Sequence, residues 1–283
     1  MLRFVTTFVT SLVLGLAAGA AQAQSDLVKR GDYLVNGLLS CGNCHTPKGP
    51  NGDIKDKAFS GGGLWDEPPF KVAAANITQD KETGIGSWSD ADIKKLMRTG
   101  QSPKGVHIAM LMPTGFYHIM TDHDLDAVVA YLRTIPPISN KVPDPVYKMP
   151  QVEAVLPGAE KPFTESAMAD KVKKGFYLAT IAHCMECHTP MGPRGREFGT
   201  RLGAGGFEFP GPWGVSVSRN ITQSKTKGIG GWSDAEIKRA ITQGISRDGS
   251  HLKPPMGYPY YATVAGDDLD AIVAYLRTVP ALD

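Results

Sequence analysis

The sequence predicts an all-α fold made twice over, as two tandem helical domains with long loops. Three observations carry that reading. The chain repeats its own text at an offset of about 144 residues, so one structural unit is written twice. Each copy holds three stretches with helical apolar spacing and helix punctuation. Strand signals are weak throughout.

The chain opens Met1-Leu2-Arg3, runs through an apolar stretch from Phe4 to Ala21 and closes on Ala21-Gln22-Ala23. A positive start, a short apolar segment and a small-x-small ending describe an export signal over residues 1–23, removed from the mature chain. A membrane anchor fits less well. Thr6, Thr7, Thr10 and Ser11 leave a strongly apolar run of about ten residues, against the ~18 a spanning helix requires. Charges or Gly and Pro interrupt every later apolar stretch, so no membrane span is expected after signal cleavage. With 30 basic and 28 acidic residues the formal charge is +2, and +1 without Arg3. That balance points neither to nucleic acid nor to an anionic membrane.

The repeat assigns residues 24–135 to a first domain and 166–283 to a second. Gly31-Asp-Tyr33-Leu34 returns as Gly175-Phe-Tyr177-Leu178, and Cys41-Gly-Asn-Cys44-His45-Thr46-Pro47 as Cys184-Met-Glu-Cys187-His188-Thr189-Pro190. Asn76-Ile77-Thr78-Gln79 returns as Asn220-Ile221-Thr222-Gln223, and Asp124-Leu125-Asp126-Ala127 as Asp268-Leu269-Asp270-Ala271. The offset is 143 at the Cys motif and 144 beyond it, which predicts one loop longer by a residue. Residues 136–165 hold Pro136, Pro137, Pro143, Pro145, Pro150, Pro157 and Pro162 and lack helical periodicity, as a semi-rigid linker would.

The first helix is expected over Ser25–Leu39 and its twin over Ala167–Ile181, each leading into a Cys motif. Ser89 with Asp92, and Ser233 with Glu236, open a second helix by reciprocal capping. Thr121 with Asp124 opens the third. That helix carries Leu125, Val128, Val129 and Leu132 at helical spacing, matched by Leu269, Ile272, Val273 and Leu276, before Pro136 or Pro280 stops it. Loops this long are uncommon in a compact domain unless something inside organises them.

All four cysteines lie in two Cys-x-x-Cys-His motifs, the arrangement that attaches a c-type haem. Two thiols three positions apart reach two vinyl groups of one porphyrin, and the adjoining histidine binds the iron. Cys41, Cys44 and His45 would hold one covalently attached haem c, and Cys184, Cys187 and His188 a second. Paired disulfides leave the histidines unexplained, a single zinc site would need sulfurs from both domains to converge, and a thioredoxin-like pair lacks its βαβ setting.

Two repeated pairs are candidates for the opposite iron ligand. Met112 aligns with Met256 and His107 with His251. Methionine is favoured, because Pro113 follows Met112 while Pro254 and Pro255 precede Met256, stiffening a loop that must present sulfur. Met110 competes with Met112, and bis-histidine ligation through His107 and His251 would lower the potential. His118, His123 and His183 have no repeated counterpart and receive no role. Gly31 and Gly175 sit inside helices at a cost of about 1 kcal/mol relative to alanine, so close approach of the last helix at Tyr131 or Tyr275 is expected. Trp88 and Trp232 read equally as core or as haem-edge contacts, and Asn76 and Asn220 as loop hydrogen-bonding residues rather than glycosylation sites.

With these residues in view, each half resembles a class I cytochrome c domain: Cys-x-x-Cys-His after the first helix, a Met-Pro or Pro-Met loop, and a closing helix ending in Tyr-Leu-Arg. The segments Gly-Ile-Gly-x-Trp-Ser-Asp and Asp-Leu-Asp-Ala-x-Val-Ala-Tyr-Leu-Arg-Thr resemble the multihaem cytochrome subunits that accept electrons from periplasmic dehydrogenases. The resemblance implies a bacterial, periplasmic electron carrier. Electrons would come from a dehydrogenase donor and leave to an oxidase or cytochrome acceptor. The competing expectation is a catalytic di-haem enzyme of peroxidase or thiosulfate-oxidising type, against which both copies supply a methionine in the same loop.

Overall fold

The computed structural model describes residues 22–50, 52–151, 154–193 and 195–283. The predicted export signal lies outside them, save for Gln22 and Ala23. In the first half, helix α1 (residues 22–33) leads to α2 (Cys41–His45), hairpin β1 (Lys48–Gly49) and β2 (Gly52–Asp53), and hairpin β3 (Leu64–Glu67) and β4 (Phe70–Ala73). Helices α3 (Asp90–Thr99) and α4 (Asp122–Leu132) complete it, and β5 (Val146–Tyr147) follows. The second half repeats the plan: α5 (Lys171–Ile181), α6 (Cys184–His188), β6 (Met191–Gly192), β7 (Gly195–Arg196), α7 (Phe198–Arg201), β8 (Glu208–Gly211), β9 (Gly214–Val217), α8 (Asp234–Gln243), α9 (Tyr258–Tyr261) and α10 (Gly266–Leu276).

The core of each half is helical, but the loops are not merely irregular, so the all-α expectation holds only in part. Antiparallel hairpins form at Gly52 and Gly195, whose φ of 98° and 103° suits glycine, and at Pro68-Pro69 and Pro212-Trp213. Strands of two to four residues are too short to display alternation in sequence.

Helix boundaries follow their caps. Ser89 and Ser233 each accept from the third helical N–H, and Asp92 and Glu236 reach back, as the sequence predicts. Thr121 accepts from the Asp124 N–H. The twin of the first helix starts later than expected. Asp170 caps it by accepting from Val172 and Lys173, and Glu165–Ala169 form a 3-10 turn instead.

The single-loop account of the offset also needs correction. Leu34–Leu38 form a π-helical turn in which the Leu39 N–H reaches Leu34 O at 2.9 Å, where α5 stays α-helical. One extra residue is absorbed inside the first helix as a π-bulge, and a compensating one falls after Pro190 in the second half. Both halves thereby enter their Cys motif through a left-handed residue, Ser40 at φ 46° and His183 at φ 43°.

Each first helix crosses its closing helix at a glycine. A Cβ on Gly31 would lie 1.9 Å from Ala127 O and 2.6 Å from the Cβ of Tyr131, and one on Gly175 1.8 Å from Ala271 O and 2.9 Å from the Cβ of Tyr275. The expected close approach is thus present in both copies. At the end of each closing helix a guanidinium ties the loop beneath it: Arg133 donates to Trp88 O and Arg277 to Trp232 O, each at 2.6 Å. Trp88 and Trp232 pack against the main core. Asn76 and Asn220 accept from Thr78 and Thr222 N–H, as loop-ordering residues.

The two halves share one continuous core. Across it Tyr33 donates to Asp268 at 2.7 Å, and its twin Tyr177 to Asp124 at 2.6 Å, a reciprocal exchange that describes a pseudo-two-fold. Within each half a cation answers the carboxylate: Arg30 grips Asp124 with two bonds of 2.8 Å, and Lys174 lies 2.5 Å from Asp268. Burial opposes the Asp124 charge, but Arg30 and Tyr177 hold its carboxyl below the usual range. Residues 136–165 do not bridge open space; β5 adds to β4, and Leu156 and Ala159 are buried.

Candidate haem-attachment sites

Each motif occupies a single helical turn, so its two cysteines, three positions apart, and the following histidine fall on one face. All four thiols are free and half-buried, and Cys41 and Cys184 pack against the core. The disulfide reading therefore fails. Burial pushes Cys41, Cys184 and Cys187 up to about 12, keeping them as neutral thiols.

The loop after each second hairpin orients the histidine. His45 Nδ1 lies 2.7 Å from Ala75 O, and His188 Nδ1 2.6 Å from Arg219 O. A carbonyl only accepts, so Nδ1 carries the proton and Nε2 the lone pair. Burial lowers both imidazoles below their usual value, with the carbonyl opposing, so both are neutral at pH 7. Two thiols beside an imidazole with its outer nitrogen free to ligate fit a covalently held haem. Among the described residues no cluster of three or more His, Cys, Asp or Glu could hold a bare metal ion.

Met112 and Met256 are partly buried against the core, whereas Met110 is 40% exposed. His107 and His251 sit in matching isolated bridges to Gln101 and Ile245.

The first motif meets the second half across the pseudo-two-fold. His183, which enters α6, brings its Nδ1 to 3.4 Å from the Glu186 carboxylate. Gly42 approaches the Tyr260 ring, whose hydroxyl reaches Asp53 at 3.5 Å, and Glu186 lies near enough to Cys44 to bias it electrostatically.

The model of the cytochrome c family matches residues 28–136 and 172–280. The chain belongs to that family, with two of its domains in tandem and two covalently bound haem c groups. It is similar to the cytochrome c subunit of a quinone alcohol dehydrogenase from Gluconobacter oxydans, 27% identical over 94% of this chain and 57% of the relative. It is likewise similar to the fructose dehydrogenase cytochrome subunit of Gluconobacter japonicus, 29% identical over 92% and 54%. A diheme cytochrome c-type from Cereibacter sphaeroides matches at 29% over 86% of this chain and 83% of its own. The chain spans little more than half the length of the two dehydrogenase subunits.

Proposed function

We propose that the protein is an exported, periplasmic two-haem electron carrier that takes electrons from a dehydrogenase and passes them to an oxidase or another cytochrome. The observation that carries this reading is that Cys41 and Cys184 of the two attachment motifs pack against one continuous core, with Gly42 of the first motif beside Tyr260 of the second half. The named dehydrogenase subunits among the relatives support a dehydrogenase donor.

Cys41 with Cys44, and Cys184 with Cys187, anchor the haems by thioether bonds. His45 and His188, their Nδ1–H fixed on a loop carbonyl, would hold iron through Nε2. Met112 and Met256 would supply thioether sulfur to the same irons. Bound there, each haem supplies a one-electron ferric/ferrous couple. The surrounding apolar core excludes water, and the paired His and Met ligands favour the reduced state relative to bis-histidine ligation. Among the described residues no helix is long and apolar enough to cross a membrane.

An optical and redox titration of protein expressed with a c-type maturation system tests this. Two haems per chain are expected by pyridine haemochrome, both showing the weak near-infrared band of Met sulfur on ferric iron. Met112→Ala and Met256→Ala should each remove about half of that band and lower one potential by on the order of 100 mV or more. A six-coordinate low-spin spectrum unchanged in Met112→Ala would overturn the ligand assignment, and a high-spin haem in the unaltered protein would favour a catalytic site.

A further inference from the structure

The halves part company at one sheet edge. In the first, β5 pairs with β4, placing Tyr147 opposite Phe70 and Val146 opposite Lys71. The strap that follows is tied down: Lys148 and Met149 N–H donate to Pro69 O at 2.9 and 3.2 Å. Gln151 donates to the same carbonyl at 3.2 Å and accepts from the Met110 N–H at 3.4 Å. Phe70, Val72 and Ala109 are buried beneath it, with Trp65, Leu111 and Tyr147 around them. The strap thereby joins the hairpin to the loop carrying Met112.

The second half builds the same hairpin in the same register, yet among the described residues no third strand pairs with β9. Gly214 stands where Phe70 would be, and nothing lies within 4 Å of the place its Cβ would take. Ser216 replaces Val72, and exposed Lys253 replaces Ala109. Meanwhile Val215 and Val217 are 54% and 52% exposed. Because Pro69 O faces the strap and backbone direction alternates by two, Lys71 turns its N–H and C=O the same way, and so do Val215 and Val217 at the open edge. An apolar edge with unpaired backbone groups is a template for an added strand.

We propose that β9 is a docking strand for an extended, proline-flanked segment of a partner polypeptide, bringing an aromatic residue opposite Gly214. The equivalent edge shows the chemistry required, since its occupant is Pro145-Val146-Tyr147 with the tyrosine across from residue 70. With glycine at 214, the bulk that Phe70 contributes in the first half comes from the incoming strand, a cross-strand filling known to stabilise edge glycines. Ser218 and Arg219 follow β9 directly, and the Arg219 carbonyl holds His188. Docking therefore stiffens the backbone that orients this histidine. That consequence rests on the two-haem reading; the strand pairing does not.

The test is amide hydrogen exchange on the intact two-haem protein, with a synthetic peptide of the strap sequence Lys141–Gln151 added in trans at millimolar concentration. Exchange at residues 215–217 should be fast in the free protein and slow by at least about threefold with peptide, while residues 70–73, already paired, stay unchanged. Val215→Pro, which removes an edge donor, should abolish the effect. Val215→Lys, which restores the first half's residue and keeps the donor, should retain it. No protection by the peptide, or protection that survives Val215→Pro, overturns the proposal. So does a protein that sediments as a dimer with β9 already protected, since a second copy would then be the occupant. None of these outcomes alters the haem spectra on which the carrier reading depends.

Discussion

The first and second halves descend from the same text, and their differences sort by position. Where two elements must touch, nothing has changed: a glycine at each helix crossing, a left-handed residue before each Cys motif, a carbonyl on each histidine, an arginine beneath each closing helix. Elsewhere the copies diverge. Leu34–Leu38 wind as a π turn where the second half keeps a regular helix, Lys174 takes the place of Arg30, and among the described residues a strap covers one hairpin but not the other. Duplication has conserved the contacts that position the haems and released the edges.

Substitutions at paired positions break or sharpen that comparison. The largest effect is expected at the crossings. Gly31→Ala and Gly175→Ala each drive a methyl into backbone and should destabilise by roughly 3 kcal/mol or more, alike in the two halves, in chemical unfolding of the holoprotein. A mild result for either would show that its crossing can open.

The charged pairs should behave unequally. Asp124 is more deeply buried than Asp268, with side-chain exposures of 5% and 11%. Arg30→Met leaves a buried carboxylate short of its cation and should cost about 3 kcal/mol, whereas Lys174→Met should cost about 1 kcal/mol. The sign with pH follows from the lowered Asp124 value: its contribution is complete above the ordinary carboxylate range and is lost as pH falls through the depressed folded value. The deficit of Arg30→Met should therefore shrink in acid, measured by unfolding across pH.

The smallest effect belongs to the strap. Tyr147→Ala should cost about 1 kcal/mol and speed amide exchange at residues 70–73 while leaving residues 214–217 untouched. Equal acceleration at both hairpins would deny that the strap acts locally.

Much of the site was legible because its constraints are local. Two thiols and an imidazole serve one haem only at fixed spacing, so Cys41, Cys44 and His45 and their twins announce themselves. Ser89, Thr121 and Ser233 cap helices through bonds that span three residues. The crossing glycines were readable because glycine inside a helix is costly without a close neighbour. The hairpins were not, since strands of two to four residues carry no alternation, and Asp170 displaced the expected start of α5 by capping nearer the helix.

By itself, then, the sequence determined a duplicated helical scaffold, its covalent haem anchors and the order of its elements, all of which depend on residues close together in the chain. Only the tertiary structure decided that Tyr33 answers Asp268 while Tyr177 answers Asp124, that Met112 packs against the core while Met110 is exposed, and that among the described residues one hairpin edge has no third strand. Those contacts join residues tens to hundreds of positions apart, and their energies arise from burial and reciprocal hydrogen bonding that exist only once the two halves have packed.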